Sequence, residues 1–339
     1  MTEPAAPGAD GSAGLVDVHA HVVLEGAFGR AGRHGPELSD LADGTPCFRV
    51  CDYVLEGVRY RQSPFMDLDL RLEAMDRRGI RLQALSPNPL TYFHGIEAPL
   101  AAEFCRWHND AMAELIARAP DRLVGFAQLP MQDPDAAVTE LGRSVGELGL
   151  VGAYVGTDFG LPFDAPALDE LYAALVRHDV PLMIHPAPPG VDGPGPLARL
   201  QRLDLDLTVA FTLGESVAVA ELVFGGVLDR HPHLDVCLSH GGGATAVLAG
   251  RLRRIGAARA WAADAGIDSA ESVDERLGRL WFDTHLGDRA AIDLLAAQVG
   301  WDRLVPGTNF AGWDDDPDHH PLGDRAEACS QNARRLLRQ

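Results

Sequence analysis

The chain reads as an α/β protein, a (β/α)8 TIM barrel with insertions after strands one and five. Three observations predict this. Eight short apolar, β-branched runs recur along 339 residues, amphipathic helical patterns separate them, and four of the runs end in histidine. A doubly wound sheet would need fewer strands and a Gly-rich phosphate loop early in the chain, and no such loop occurs. A hydrophobic content of 46% is ample for one large core.

In chain order, residues 1–14 (MTEPAAPGADGSAG) are small, polar and rich in Pro and Gly, and are expected to form a disordered N-terminal tail. They have neither a basic start nor an apolar stretch resembling a secretory signal. The barrel is expected over 15–339. Its strands are read at 15–21, 80–86, 123–129, 150–157, 180–185, 234–240, 280–285 and 303–309. Helices are read over 68–78, 100–117 and 168–177. Another begins after Asp133, a side-chain cap, with Pro134 in its first turn; Val138, Leu141, Val145 and Leu148 share a side, and Gly149 stops it. Residues 22–65, containing Phe48-Arg49-Val50, form a long insertion read as a short hairpin lid. Residues 186–213 form a second irregular loop. Both follow the C-terminal end of a strand, where a barrel builds its site.

A net charge of −20 opposes nucleic-acid binding through phosphate contacts. No uninterrupted apolar run of bilayer length is read, so no membrane partner is expected. Five cysteines without a pairing pattern point to reduced thiols and a cytoplasmic location.

The chemistry is concentrated at strand ends. In Val16-Asp17-Val18-His19-Ala20-His21 the histidines lie two apart, so both imidazoles face one side of a strand and can close on one cation. His185, His240, His285 and Asn309 end four further strands at the same mouth. Imidazoles gathered there suit zinc, and manganese or iron fit the same donors. His34, His94, His178, His231, His233, His319 and His320 fall in loops or helix ends and are expected to be exposed.

These residues, with Phe48-Arg49-Val50, Arg71-Leu72-Glu73-Ala74-Met75-Asp76, Gln83-Ala84-Leu85-Ser86, His108-Asn109-Asp110, Leu129-Pro130-Met131-Gln132, His185-Pro186, His240-Gly241-Gly242-Gly243, Gly250-Arg251 and Gly307-Thr308, occur in the order of a known family. The chain resembles the amidohydrolase-related decarboxylases, most closely the aminocarboxymuconate semialdehyde decarboxylases, over most of 15–339. The resemblance implies a metal-dependent, non-oxidative decarboxylase of a small unsaturated or aromatic carboxylic acid, with no organic cofactor. It makes His19, His21 and His185 metal ligands and His240 the acid/base working on metal-bound water. Arg49 and Arg251 become grips for the carboxylates of a small anionic substrate. Because Arg251 would reach in from a neighbouring subunit, the resemblance also implies a homodimer. For either arginine a surface salt bridge is the competing reading.

One position departs from the family. Strand eight there ends in an aspartate that ligates the metal; here Asn309 stands in its place, followed by Gly312, Asp314, Asp315 and Asp316. Asn309 is then a neutral, weaker metal ligand, or Asp314 swings in, or the metal is lost and the barrel is a catalytically silent binding protein. Asp314 to Asp316 are expected to form a solvated acidic loop. His285, where the family has a small residue, touches substrate or bonds to Asp283. The rival enzyme reading is a metal-dependent hydrolase of an ester, lactone or amide. A serine hydrolase lacks its Gly-x-Ser-x-Gly elbow.

Overall fold

Eight apolar runs become nine short parallel strands of one closed barrel, because the third run breaks in two. The computed structural model describes residues 14–188, 198–310, 312, 314–316 and 321–339, with Asp264 described by its backbone alone. In chain order the strands are β1 (Leu15–Val22), β2 (Glu37–Asp40), β3 (Pro46–Val50), β4 (Tyr53–Glu56), β5 (Ile80–Pro87), β6 (Leu123–Gly125), β7 (Ala127–Gln128), β8 (Ala153–Val155), β9 (Leu182–Ile184), β10 (Val236–Leu238), β11 (Trp281–Asp283) and β12 (Leu304–Val305). One ribbon runs β1-β5-β6 and another β7-β8-β9-β10-β11-β12. Phe126 joins them: its N–H donates to Leu85 O (2.9 Å), while Ala127 N–H donates to Gly152 O (2.8 Å). Closure comes from Val18 N–H to Pro306 O (3.0 Å), His21 N–H to Phe310 O (3.0 Å) and Phe310 N–H to His19 O (3.1 Å).

Alternation along the strands separates two cores. Leu82, Val124, Tyr154, Met183, Cys237, Trp281 and Val305, with Val16 and Val18, fill the barrel, and Leu336 and Leu337 seal its floor. The intervening Ala153, Ile184, Leu238, Phe282 and Leu304 face the helices. In β1 the register passes from Asp17 opposite Gln83 to Ala20 opposite Leu85, three steps against two. This bulge re-aims the strand, so that Val16 and Val18 point inward and so do His19 and His21.

The helices are α1 (Leu68–Arg77), α2 (Ala98–Ile116), α3 (Pro134–Gly146), α4 (Asp169–His178), α5 (Phe211–Phe224), α6 (Val227–Arg230), α7 (Thr245–Ala258), α8 (Ala260–Asp264), α9 (Ala270–Leu277), α10 (Arg289–Val299) and α11 (Ala326–Leu337). Asp133 caps α3 by accepting from Ala136 N–H (3.1 Å). The first insertion is a three-stranded antiparallel sheet, β2-β3-β4, instead of a single hairpin. In the second, residues 189–197 lie outside the described residues, and the expected loop to 213 is shortened by a π-helical turn, Asp206–Ala210, that runs into α5.

The helix Asp206–Phe224 is largely apolar, although Glu215 and Glu221 interrupt it, so it is not an unbroken apolar run of bilayer length. It is 19 residues long and carries an 18-residue window of mean hydropathy 1.6, enough by length and composition alone to cross a membrane. Here it lies on the barrel, burying Phe211, Glu215, Ala218 and Leu222 and leaving Val209, Leu213 and Val217 exposed. The periodic polar face of a surface helix is missing.

Behind β1 a buried polar chain ties strand one to its neighbours. The Asp17 carboxylate accepts from His19 N–H (3.1 Å), Thr308 N–H (3.0 Å), Thr308 Oγ1 (2.8 Å) and Gln83 Nε2 (2.9 Å). Gln83 Oε1 accepts from Arg71 Nη1 (2.6 Å), and Arg71 Nη2 donates to His21 O (2.5 Å). Burial pulls the Arg71 pKa down to about 9, with Asp17 opposing it. Gln83→Leu keeps the volume but removes one of two donors to a buried carboxylate oxygen, which keeps Thr308 Oγ1, and strands a guanidinium N–H. It should lower unfolding free energy by about 1–3 kcal/mol in urea titrations; a shift under about 0.5 kcal/mol would show that the chain is not needed to hold β1.

Candidate metal centre

His19, His21 and His185 are buried, and one ring nitrogen of each lies within 4.8 Å of the others. Their ring centroids stand 4.7–5.1 Å apart at near right angles. Each ring has its Nδ1 occupied from outside the cluster. His19 Nδ1 meets Asp283 Oδ2 (2.6 Å) and His185 Nδ1 meets Pro186 O (2.6 Å). His21 Nδ1 meets Ser86 Oγ (2.9 Å), whose own proton goes to Ala20 O (3.0 Å). These acceptors put the proton on Nδ1 and leave Nε2 as a lone pair. The Nε2 atoms of His19 and His185 are buried without a hydrogen-bond partner among the described residues.

Burial, with neighbouring imidazoles, holds all three basicities down, His21 to about 3 and His19 and His185 well below the ordinary histidine range. Neutral imidazoles with converging lone pairs and Nδ1–H bonded to carboxylate or carbonyl are the donor set of a transition-metal site. The residues present therefore fit a divalent cation.

His240 follows β10 at left-handed φ 44°, and Gly241, Gly242 and Gly243 continue at 60°, 68° and 65°. A Cβ on Gly243 would lie 2.2 Å from Thr212 O, so the turn needs glycine. The turn folds the imidazole back against α5, where His240 Nδ1 bonds Glu215 Oε1 (2.8 Å), the oxygen that also accepts from Ser239 Oγ (2.5 Å). Burial opposes charge on this ring, but the Glu215 carboxylate outweighs it and raises the pKa to about 9. The ring lies 5.0 Å from His19 and 4.9 Å from His185. The sequence reading does not single out Glu215, although an acid inside the otherwise apolar FTLGESVAVAELVF, which holds Glu215 and Glu221, is the available signal.

Asn309, four residues beyond β12, is 3% exposed at φ 48°. Asp314 corrects the expected solvated loop: it accepts from Asn309 Nδ2 and pairs with His285 Nε2 (3.0 Å). Asp315 pairs with Arg78. Burial works against the charge on Asp314, but His285 outweighs it and holds the carboxyl below its usual range. His285 also lies 5.9 Å from His19 and 5.7 Å from His240. It bonds Asp283 through its backbone N–H (3.1 Å). His94 is buried and stacked on Tyr92, against the expected exposure, and His319 and His320 lie outside the described residues.

A cavity of about 800 Å³ opens beside this cluster, lined in part by Phe211, Thr212, His240, Thr284, His285 and Asp314. Neither expected arginine lines it. The Arg49 guanidinium, in β3, is held by Glu37 (2.5 Å), Arg33 O (3.3 Å) and Cys51 O (2.9 Å). Arg251 is exposed on α7.

The chain is 27% identical to a 2-amino-3-carboxymuconate-6-semialdehyde decarboxylase of Dictyostelium discoideum, over 78% of this chain and 72% of that one. It is 36% identical to a gamma-resorcylate decarboxylase of Rhodococcus jostii (strain RHA1), over 53% of this chain and 58% of that one, just over half of the relative's length. The crystal structure of a dihydroxybenzoic acid decarboxylase from Polaromonas sp. JS666, with bound manganese and the inhibitor 2-nitroresorcinol, superposes with a TM-score of 0.72. It is 23% identical, covering 96% of this chain and 97% of that one, which supports the fold. The amidohydrolase family profile matches residues 16–339, and the chain belongs to the amidohydrolase family.

Proposed function

We propose that this protein is a metal-dependent, non-oxidative decarboxylase of a small hydroxylated aromatic acid. The observation that carries the reading is the trio of neutral imidazoles with converging Nε2 atoms, set beside a glutamate-backed histidine at one barrel mouth. His19, His21 and His185 would hold the cation, with the Asn309 amide beside them. Three imidazoles suit zinc, and the manganese of the Polaromonas relative makes manganese the second metal to load. When bound, the cation would supply positive charge that draws in and orients an anionic substrate at the mouth.

The chain's own groups handle the proton and the ring. With Nδ1 fixed on Glu215, His240 presents Nε2 to the cavity. Its proton passes to the ring carbon bearing the carboxylate; the electron pair of the breaking bond forms the new C–H bond as CO2 leaves, and solvent reprotonates the imidazole. Phe211, with its ring 6.2 Å from those of His185 and His240, is an apolar wall for a planar ring.

A homodimer fits the exposed stripe Val209, Leu213 and Val217 and the neighbouring Val247, which is 73% exposed on α7 one turn before Arg251. Covering this stripe with a second copy would bring Arg251 to a subunit boundary, where it can meet the partner's substrate carboxylate.

Purified protein loaded with Zn2+ or Mn2+ should release CO2 from 2,6-dihydroxybenzoate or a close hydroxybenzoate; a hydrolysed or hydrated product without CO2 across such a panel would replace this reading. His19→Ala and His21→Ala should lose bound metal and activity together. His240→Ala should keep the metal while kcat falls by about 10²–10⁴, and metal loss in that variant would make His240 a ligand instead of an acid. Leu213→Glu with Val217→Glu should shift sedimentation from dimer to monomer, and a wild-type monomer would remove the dimer from the scheme.

A further inference from the structure

We infer that Asp314 is a positioning residue, which locks the Asn309 amide with its oxygen toward His19, His21 and His185 and lends that oxygen the negative charge strand eight lacks. The inference rests on the metal-centre reading above and deepens it.

An amide can face a site with either end, and its neighbours decide which. A carboxylate only accepts, so Asp314 takes the Nδ2 end of Asn309 and the Oδ1 end is turned the other way. Oδ1 is buried and has no hydrogen-bond partner among the described residues. The next residue, Phe310, hydrogen-bonds β1 on both sides of Ala20, through Phe310 N–H to His19 O and His21 N–H to Phe310 O, which sets Asn309 beside the two histidines. The Asn309 side chain interacts with the His21 ring. A buried oxygen without a hydrogen-bond partner, on a side chain that reaches the His21 ring, is read as a fourth donor to the cluster, not a packing accident.

Two further features hold this arrangement. Gly312 leaves room for the amide, since a Cβ there would lie 2.3 Å from Asn309 Oδ1 and 2.4 Å from its Cγ and Nδ2. His285 grips the second oxygen of Asp314 at 3.0 Å, so the carboxylate is clamped from both sides. The left-handed φ of 48° at Asn309 is one that asparagine tolerates better than most residues. A hydrogen bond from Nδ2 to an anion also draws electron density toward the amide oxygen, making it a stronger donor than a free asparagine. The anionic charge that an aspartate would present directly thus acts one hydrogen bond away.

The test is Mn2+ affinity, measured by competition with a metallochromic chelator, for wild type, Asp314→Ala, Asn309→Ala, the double variant and Asp314→Asn, with the unfolding of each metal-free protein followed in parallel. Asp314→Ala and Asn309→Ala should each weaken Mn2+ by about 10–100-fold. The double variant should bind no more weakly than Asn309→Ala alone, because Asp314 acts through that amide. Asp314→Asn, which keeps an acceptor for Nδ2 but loses the charge, should weaken Mn2+ several-fold even if the alanine variant folds poorly. Wild-type affinity in either folded Asp314 variant, or full additivity in the double variant, would overturn the inference. Wild-type protein that takes up no Mn2+ would overturn it together with the metal reading. Mn2+ binding that weakens as stated without CO2 release from any acid would sustain it and sink only the decarboxylase assignment.

Discussion

Three imidazoles can share a space some 5 Å across only if none is charged and each Nδ1 proton has a home outside the cluster. Asp283, Ser86 and the Pro186 carbonyl provide those homes. They fix the tautomer, and with it the direction of the three lone pairs. Burial makes protonation unfavourable, so the cluster awaits a metal cation, not protons. His240 sits at the same mouth under the opposite rule, because Glu215 sets a carboxylate against its Nδ1 and favours the imidazolium. Two charge states of one residue type are thereby separated over about 5 Å by what lies behind each ring.

The barrel supplies the precision this needs. Its strands are short, two to eight residues, and the chemistry sits on the residues that leave them. His185 follows β9 directly, whereas His240 and Asn309 lie in left-handed backbone beyond β10 and β12, where the strand geometry has been released to aim a side chain. Strand one is treated differently. It holds its two histidines inside the sheet, re-aimed by a bulge and braced from behind by Asp17, Gln83 and Arg71. The same Asp17 carboxylate accepts from Thr308, so the brace for the histidine pair also sets the approach of the chain to Asn309.

Much of this was legible in the chain. Short apolar, β-branched runs locate every barrel strand, and the two-residue spacing of His19 and His21 is enough to place them on one side. The runs ending at His185, His240, His285 and Asn309 extend past their strands, because a histidine or asparagine that continues an apolar run looks the same whether it completes a strand or leaves it. Local pattern also misread Asp206–Phe224, since a helix with apolar residues on both faces has no period to detect. His94 falls in a loop and is therefore expected at the surface, yet it is buried against Tyr92 from its own loop and Phe159 from another.

By itself, then, the sequence determined the barrel and the two-histidine claw, because these rest on periodicity and spacing, which are properties of neighbouring residues, and it pointed to the family through the order of its motifs. The tertiary structure decided which acid stands behind which imidazole. Glu215 reaches His240 across 25 residues, Asp283 reaches His19 across 264, and Asp314 turns back onto Asn309 and His285 from a loop whose composition favours solvent exposure. Charge state, tautomer and amide orientation depend on distances of about 3 Å between such segments, and a linear pattern carries no term for distance through space.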